Sequence, residues 1–156
     1  PRSGDRRAAR ALNDVTVFVD TSALVRRYAH DRERQLVVDV MAADPDWCAS
    51  ALARTETQLV LQRLAPTPAG VTELWRRLRD DWEAFHVVPV DDRCLARATE
   101  IGAEFGLRAV DAVHLAAADR LPRPASFLSF DRHQLPAAVE LGLEVRTATE
   151  ATATSR

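Results

Sequence analysis

Short runs of β-branched and aromatic residues alternate along the chain with longer stretches in which apolar side chains recur every three or four positions. The first run, Val15 to Val19, is apolar at nearly every position, as in a strand buried on both faces. Thr21 and Ser22 are placed to cap a helix that runs to Tyr28, and Arg32 to Ala43 predicts a second helix. Further strands are predicted at 47–50, 86–90, 126–130 and 144–147. Helices are predicted at 52–64, 71–84, 94–105, 110–121 and 134–141, with Pro66 and Pro122 as stops. Strands and helices in alternation imply an α/β fold, a three-layer α/β/α sandwich around a central, mainly parallel sheet. Residues 1–13 and 149–156 are polar and read as loose tails flanking one folded domain at 14–148.

Four acids interrupt this pattern where carboxylates are costly. Asp20 and Asp131 each follow an apolar run, VTVFV and SFLSF, at the strand ends where sites form in parallel sheets. On the helix at 52–64, Leu52, Glu56, Leu59 and Val60 share one spacing, which places Glu56 on the stripe expected to face the core. Asp111 has Leu107 and Leu115 four residues to either side, in LRAVDAVHLAAA. Taken singly, each has an ordinary reading: a turn or cap for Asp20 and Asp131, an Arg pair or hydrogen-bonded core carboxylate for Asp111, and an ion pair with Arg63 for Glu56. Taken together, two strand ends and two inner helix faces bring four carboxylates toward one edge of the sheet. Such a set is tolerable around a hard divalent cation, Mg²⁺ or Mn²⁺, whose natural chemistry with oxygen ligands is phosphodiester hydrolysis. In that scheme the acids are chiefly ligands, and Asp131 or Asp111 also orients or deprotonates the attacking water. Relief of repulsion would then let Glu56→Gln keep or raise the stability of the metal-free protein.

Composition narrows the alternatives. The chain has 156 residues, 47% hydrophobic and 28% charged, enough for one domain with its own core. All 21 basic residues are Arg, so the P-loop Lys and the Schiff-base Lys of pyridoxal enzymes are missing, as is a G-x-G-x-x-G fingerprint. The net charge of −2 does not advertise a nucleic-acid partner. With four acids assigned to a metal, however, 21 basic residues face 19 remaining acids, a net +2. Arg26/Arg27, Arg32/Arg34 and Arg76/Arg77/Arg79 are then available for phosphate contacts. Cys48 and Cys94 form no C-x-x-C pair and read as reduced core residues. No apolar stretch is long enough to span a membrane, and Asp20 ends the first apolar run too early for a signal peptide. A cytoplasmic location is expected.

VFVDTSALVRRY, SALARTETQLVL, GLRAVDAVHLAAA and SFLSFDRHQL, in this order, resemble the motifs of PIN-domain ribonucleases of the VapC type, the toxins of bacterial toxin–antitoxin pairs. The resemblance implies Asp20, Glu56, Asp111 and Asp131 as the acid set. Thr21 and Ser22 form the hydroxyl pair after the first acid, His114 lies in the usual His-containing turn, and Ser129 stands where Thr or Ser is usual. It implies a Mg²⁺- or Mn²⁺-dependent endoribonuclease acting on structured RNA such as tRNA or a ribosomal RNA loop. It also implies a homodimer that joins a cognate VapB-like antitoxin in a hetero-oligomer. Part of the antitoxin groove would come from Leu24, Val25, Tyr28, Leu36 and Val37, for which ordinary core packing is the competing reading.

Other residues have weaker claims. His114, three residues after Asp111, reads as a packing histidine before a metal or RNA contact. Asp91 and Asp92 read as helix-capping acids, and Trp47, Trp75 and Trp82 as core or interface rather than base-stacking groups. Asp20-Thr21 also resembles Asp-nucleophile phosphatases and receiver domains, but Ser22 stands where the phosphatase pattern has its second Asp, and both classes generally use a Lys. The remaining alternative is a catalytically silent PIN-like module that binds RNA or a partner protein.

Overall fold

In the computed structural model, residues 15–44 and 46–148 are described. The proposed tails lie outside them. Five strands form one sheet: β1 (Thr16–Val19), β2 (Trp47–Ser50), β3 (His86–Val88), β4 (Ala125–Leu128) and β5 (Glu144–Arg146). Their order is β3-β2-β1-β4-β5, and every pairing is parallel. Seven helices connect them: α1 (Thr21–Tyr28), α2 (Arg34–Ala43), α3 (Ala51–Leu64), α4 (Pro68–Trp82), α5 (Asp92–Phe105), α6 (Ala109–Asp119) and α7 (Leu135–Glu140). The expected three-layer α/β/α sandwich is thus present, and its sheet is wholly parallel.

Alternation along the strands builds two cores. Val17, Val19, Ala49 and Leu128 point to one face, where they meet Leu24 of α1, Val37 and Met41 of α2, Leu61 of α3 and Leu78 of α4. Phe18, Cys48 and Phe127 point to the other, against Cys94 and Ile101 of α5, Leu115 of α6 and Ala137 of α7. Phe18 and Phe127 stack with ring centroids 5.7 Å apart, which ties the two central strands together on that face. Cys48 and Cys94 are free and buried, as expected. Leu24, Tyr28 and Val37 are core residues, in line with the packing reading.

Sequence signals set the helix boundaries. Thr67 accepts from Gly70 N, and Pro68 sits in the first turn, so α4 begins three residues before the predicted start at Val71. Asp91 caps α5 by accepting from Cys94 N at 2.9 Å, the capping role expected of it. Gly106 closes the same helix with φ +65, a left-handed residue that costs glycine little. Trp47 donates to the Met41 carbonyl and Trp75 to that of Gln58, and Trp82 stacks on Phe85, so all three tryptophans serve packing. Among the described residues, no helix is long and apolar enough to cross a membrane.

One expectation about packing is corrected. The buried stripe of α3 is Ala53, Thr57 and Leu61, whereas Leu59 is 52% exposed. The stripe of Leu52, Glu56 and Val60 lies beside it, at the edge of the buried face. This offset turns Glu56 away from the core interior and toward the carboxyl ends of the strands.

Candidate active site

β1 is central, with β2 on one side and β4 on the other, so the strand order reverses beside it and a crevice opens at its carboxyl end. Asp20 is the next residue and is only 3% exposed. It is the N-cap of α1, and its Oδ2 accepts from Ser22 N at 3.1 Å and from Ser22 Oγ at 2.6 Å. The capping reading and the site reading therefore describe one carboxylate, placed where a helix N-terminus favours negative charge. Gln134 Nε2 donates to Asp20 Oδ1 at 3.2 Å. Ser129 Oγ lies 3.2 Å from Asp20 Oδ2 and 2.9 Å from Gln134 Oε1, with one proton to share between them.

Asp111 enters from the other core. The α6 segment Asp111–Ala118 is buried throughout, and its alanines let the helix lie close to the sheet. Asp111 is 8% exposed at the end of that buried run. Burial is the largest influence on its carboxyl and raises its pKa. A hydrogen bond and charge from Arg108 oppose the rise, while the negative charges of Asp131 and Asp20 add to it. Arg108 Nε is 3.1 Å from Asp111 Oδ2. Asp111 is therefore the incompletely compensated acid: burial raises its pKa first, and the charges of Asp131 and Asp20 add to the rise.

Glu56 is compensated differently. Its Oε1 accepts from Thr21 Oγ1 at 2.8 Å and makes a short contact with His114 Nε2. His114, 1% exposed, has its other ring nitrogen 2.8 Å from Ser50 Oγ at the end of β2. Burial alone would push the Glu56 carboxyl up, but the bonds and charges of His114, Thr21 and Arg108 bring it below its ordinary value. Burial would likewise push His114 down, but its bond to Glu56 and the charges of Asp20, Glu56 and Asp111 raise it. Each partner thus favours the charged form of the other. With both ring nitrogens protonated, His114 donates to Ser50 and to Glu56. The pair joins α6 to α3 across the sheet edge, and Arg63 has no part in it.

Asp131 lies three residues beyond the end of β4, not directly after it, because the strand ends at Leu128. Its amide donates to Ser129 Oγ at 3.1 Å, and its Oδ1 accepts from His133 N at 2.9 Å, which fixes the turn. Asp20, Thr21, Ser22, Glu56, Asp111, His114 and Asp131 all line a single cleft of about 300 Å³. Ser129, fully buried, supports it from beneath. Arg26, named from the sequence only for phosphate contacts, also lines this cleft. The sequence does not single out Arg108, Ser50 or Gln134, although Arg108 and Gln134 lie three residues from Asp111 and Asp131 respectively. Among the described residues, no three His, Cys, Asp or Glu side chains stand as a ready-made metal cluster. The donor chemistry nevertheless fits a hard cation: Asp20, Asp111 and Asp131 offer only oxygens, and burial first, then the charges of Asp131 and Asp20, raise Asp111.

These shifts reverse the stability expectation for Glu56. In EDTA, Glu56→Gln should lower thermal stability by about 1 kcal/mol through loss of a charge-assisted bond to a buried histidine. Asp111→Asn should raise it, since a carboxyl with a raised folded-state pKa destabilises the fold when ionised, and the gain should fade as pH falls. Scanning calorimetry of the two variants checks both signs. A second expectation concerns pH. Glu56 stabilises above its ordinary 4.5 and loses that effect as pH falls through its lowered folded value. His114 stabilises below its ordinary 6.5 and loses that effect as pH rises through its raised folded value. The difference in melting temperature between wild type and His114→Gln should therefore be largest between these values and shrink at alkaline pH. A difference independent of pH would contradict the ion pair.

Comparison with known proteins agrees with this fold. The PIN domain family profile matches residues 17–140. Ribonuclease VapC47 of Mycobacterium tuberculosis (strain CDC 1551 / Oshkosh) is 30% identical over 131 residues, covering 81% of this chain and 92% of that protein. Among solved structures, FitAcB from Neisseria gonorrhoeae superposes with a TM-score of 0.67 at 18% identity, over 85% of this chain and 97% of that one. VapC20 of Mycobacterium tuberculosis, a Sarcin-Ricin loop cleaving toxin, superposes with a TM-score of 0.62 at 23% identity, over 78% and 95%. A toxin–antitoxin complex from Klebsiella pneumoniae gives a TM-score of 0.63 at 16% identity, over 85% and 97%. With the ordered motifs, the parallel sheet and the family match in agreement, the chain belongs to the PIN-domain family and, within it, to the VapC-type toxins.

Proposed function

We propose that this protein is the toxin of a type II toxin–antitoxin pair and a divalent-cation-dependent endoribonuclease acting in the cytoplasm. The observation that carries this reading is the convergence of Asp20, Glu56, Asp111 and Asp131, from four separate elements, on one cleft. Asp20, Asp111 and Asp131 are the residues that would hold Mg²⁺ or Mn²⁺. Such an ion, when bound, supplies activation of water and neutralisation of the phosphate charge that develops during hydrolysis.

The chain's own residues do the rest. Ser22 and Gln134 hold the two Asp20 oxygens in place from the strand end. His114 and Thr21 keep Glu56 ionised and turned toward the cleft. Asp111 has a raised pKa, which suits a carboxylate that takes a proton from the attacking water, provided its neighbours' charge is met. Asp131, on the turn after β4, closes the acid set and is the other candidate for orienting that water. The substrate class in this reading is structured RNA, a tRNA or a ribosomal RNA loop. A cognate VapB-like antitoxin silences the toxin, and the active unit is a homodimer within the toxin–antitoxin assembly.

Purified protein should cleave total tRNA or ribosomal RNA in Mn²⁺ or Mg²⁺ and lose cleavage in EDTA. Asp20→Asn should reduce cleavage by at least about a hundredfold, with an unchanged circular dichroism spectrum. Retention of full activity in EDTA or in that variant would remove the mechanism. RNA binding with no cleavage in either metal would favour the silent module. Mapping cleaved RNA ends after brief expression of wild type against Asp20→Asn identifies the substrate.

A further inference from the structure

Two arginines reach the cleft, and their surroundings differ. Arg26 is held in place: its Nη1 donates to the Ser22 carbonyl at 2.6 Å, its guanidinium lies 4.5 Å from the Phe130 ring centre, and Asp31 is 3.4 Å from its Nε. Arg108 is held at one point. It precedes α6 without making a side-chain cap, and its Nε meets Asp111 Oδ2 at 3.1 Å. Its side chain is 83% exposed, whereas that of Asp111 is 11% exposed. A solvated arm with one ionic contact costs little to displace.

Arg108 is therefore a cation already sitting on a nearly buried carboxylate of the cleft, through a single ionic contact at the cleft mouth. When Asp111 turns its oxygens to a divalent ion, the guanidinium loses its partner yet remains at the cleft mouth. Its planar fork of donors then matches the oxygens of a phosphodiester, a fit that an ammonium lacks. We propose that Arg108 is both the resident counter-ion of Asp111 in the free protein and the arm that grips an RNA phosphate in the loaded one. The proposal rests on the nuclease reading above and assigns a substrate-binding residue to that site. No bond is made or broken; one ionic contact is exchanged for another.

The test uses Arg108→Gln and Arg108→Lys in the full chain, and the high exposure of the side chain means that the fold should tolerate both. Mn²⁺ titration followed by electron paramagnetic resonance, without RNA, should show Arg108→Gln binding the ion about three- to tenfold more tightly, because a competitor for Asp111 is gone. Binding of total tRNA is then measured in Ca²⁺, with the RNA verified intact on the same samples. Arg108→Gln should bind about tenfold more weakly, and its slope of log affinity against log salt should fall by about 0.7 to 0.9, the signature of one lost phosphate contact. Arg108→Lys should restore the slope but only part of the affinity. An Arg108→Gln protein with wild-type Mn²⁺ affinity, or with wild-type salt slope, overturns the exchange while leaving the nuclease reading standing if wild type binds Mn²⁺ and cleaves RNA. A wild type that does neither overturns both.

Discussion

Carboxylates that line one half-buried cleft repel, and folding that gathers four of them must meet the charge from within the chain. The compensation here is uneven. Glu56 is matched by a buried histidine whose charged form it favours and by a threonine hydroxyl, and its pKa falls despite burial. Asp20 is embraced by a helix N-terminus, a serine and a glutamine amide. Asp111 has one exposed arginine against its own burial and the charges of Asp131 and Asp20, and its pKa rises. The shortfall is concentrated at the acid held by burial and a single exposed partner.

The fold supplies this arrangement by topology. Reversal of strand order beside β1 opens the crevice, and the helices that border it belong to different cores: α1 and α3 to one face of the sheet, α6 to the other. His114 bridges them, reaching Ser50 at the end of β2 and Glu56 on α3. The alanine-rich run of α6 permits the close approach to the sheet that this reach requires. Removing His114 should therefore loosen the docking of α3 against α6 as well as the charge balance of the cleft.

Much of this was legible in the sequence because the local rules agree. Apolar runs marked β1 and β4, the alternating pattern placed the other three strands, and Pro and cap residues marked helix ends to within a few positions. Glu56 and Asp111 stood out as carboxylates on helix faces expected to be apolar, and Asp20 and Asp131 as acids just beyond apolar strands. What was not legible depends on pairing between distant segments. The buried stripe of α3 is one position removed from the stripe that includes Leu59, because the sheet edge and α1 decide which side is covered. His114 read as a packing residue, yet its partners lie 58 and 64 positions away. Ser50 and Gln134 carry no motif of their own and acquire a role only when strand ends meet. The sign of the Glu56 stability effect followed from the same gap: without its histidine, the acid looks like a liability.

The central claim is that Asp20, Asp111 and Asp131 form one oxygen-donor site for a hard divalent ion. Anomalous scattering from crystals of the protein soaked in Mn²⁺ tests it most directly. The account predicts a Mn²⁺ peak about 2.0 to 2.4 Å from carboxylate oxygens of at least two of these three residues, with Glu56 still paired to His114. A fully occupied Mn²⁺ site elsewhere on the chain, with the cleft empty and Arg108 still on Asp111, would contradict it.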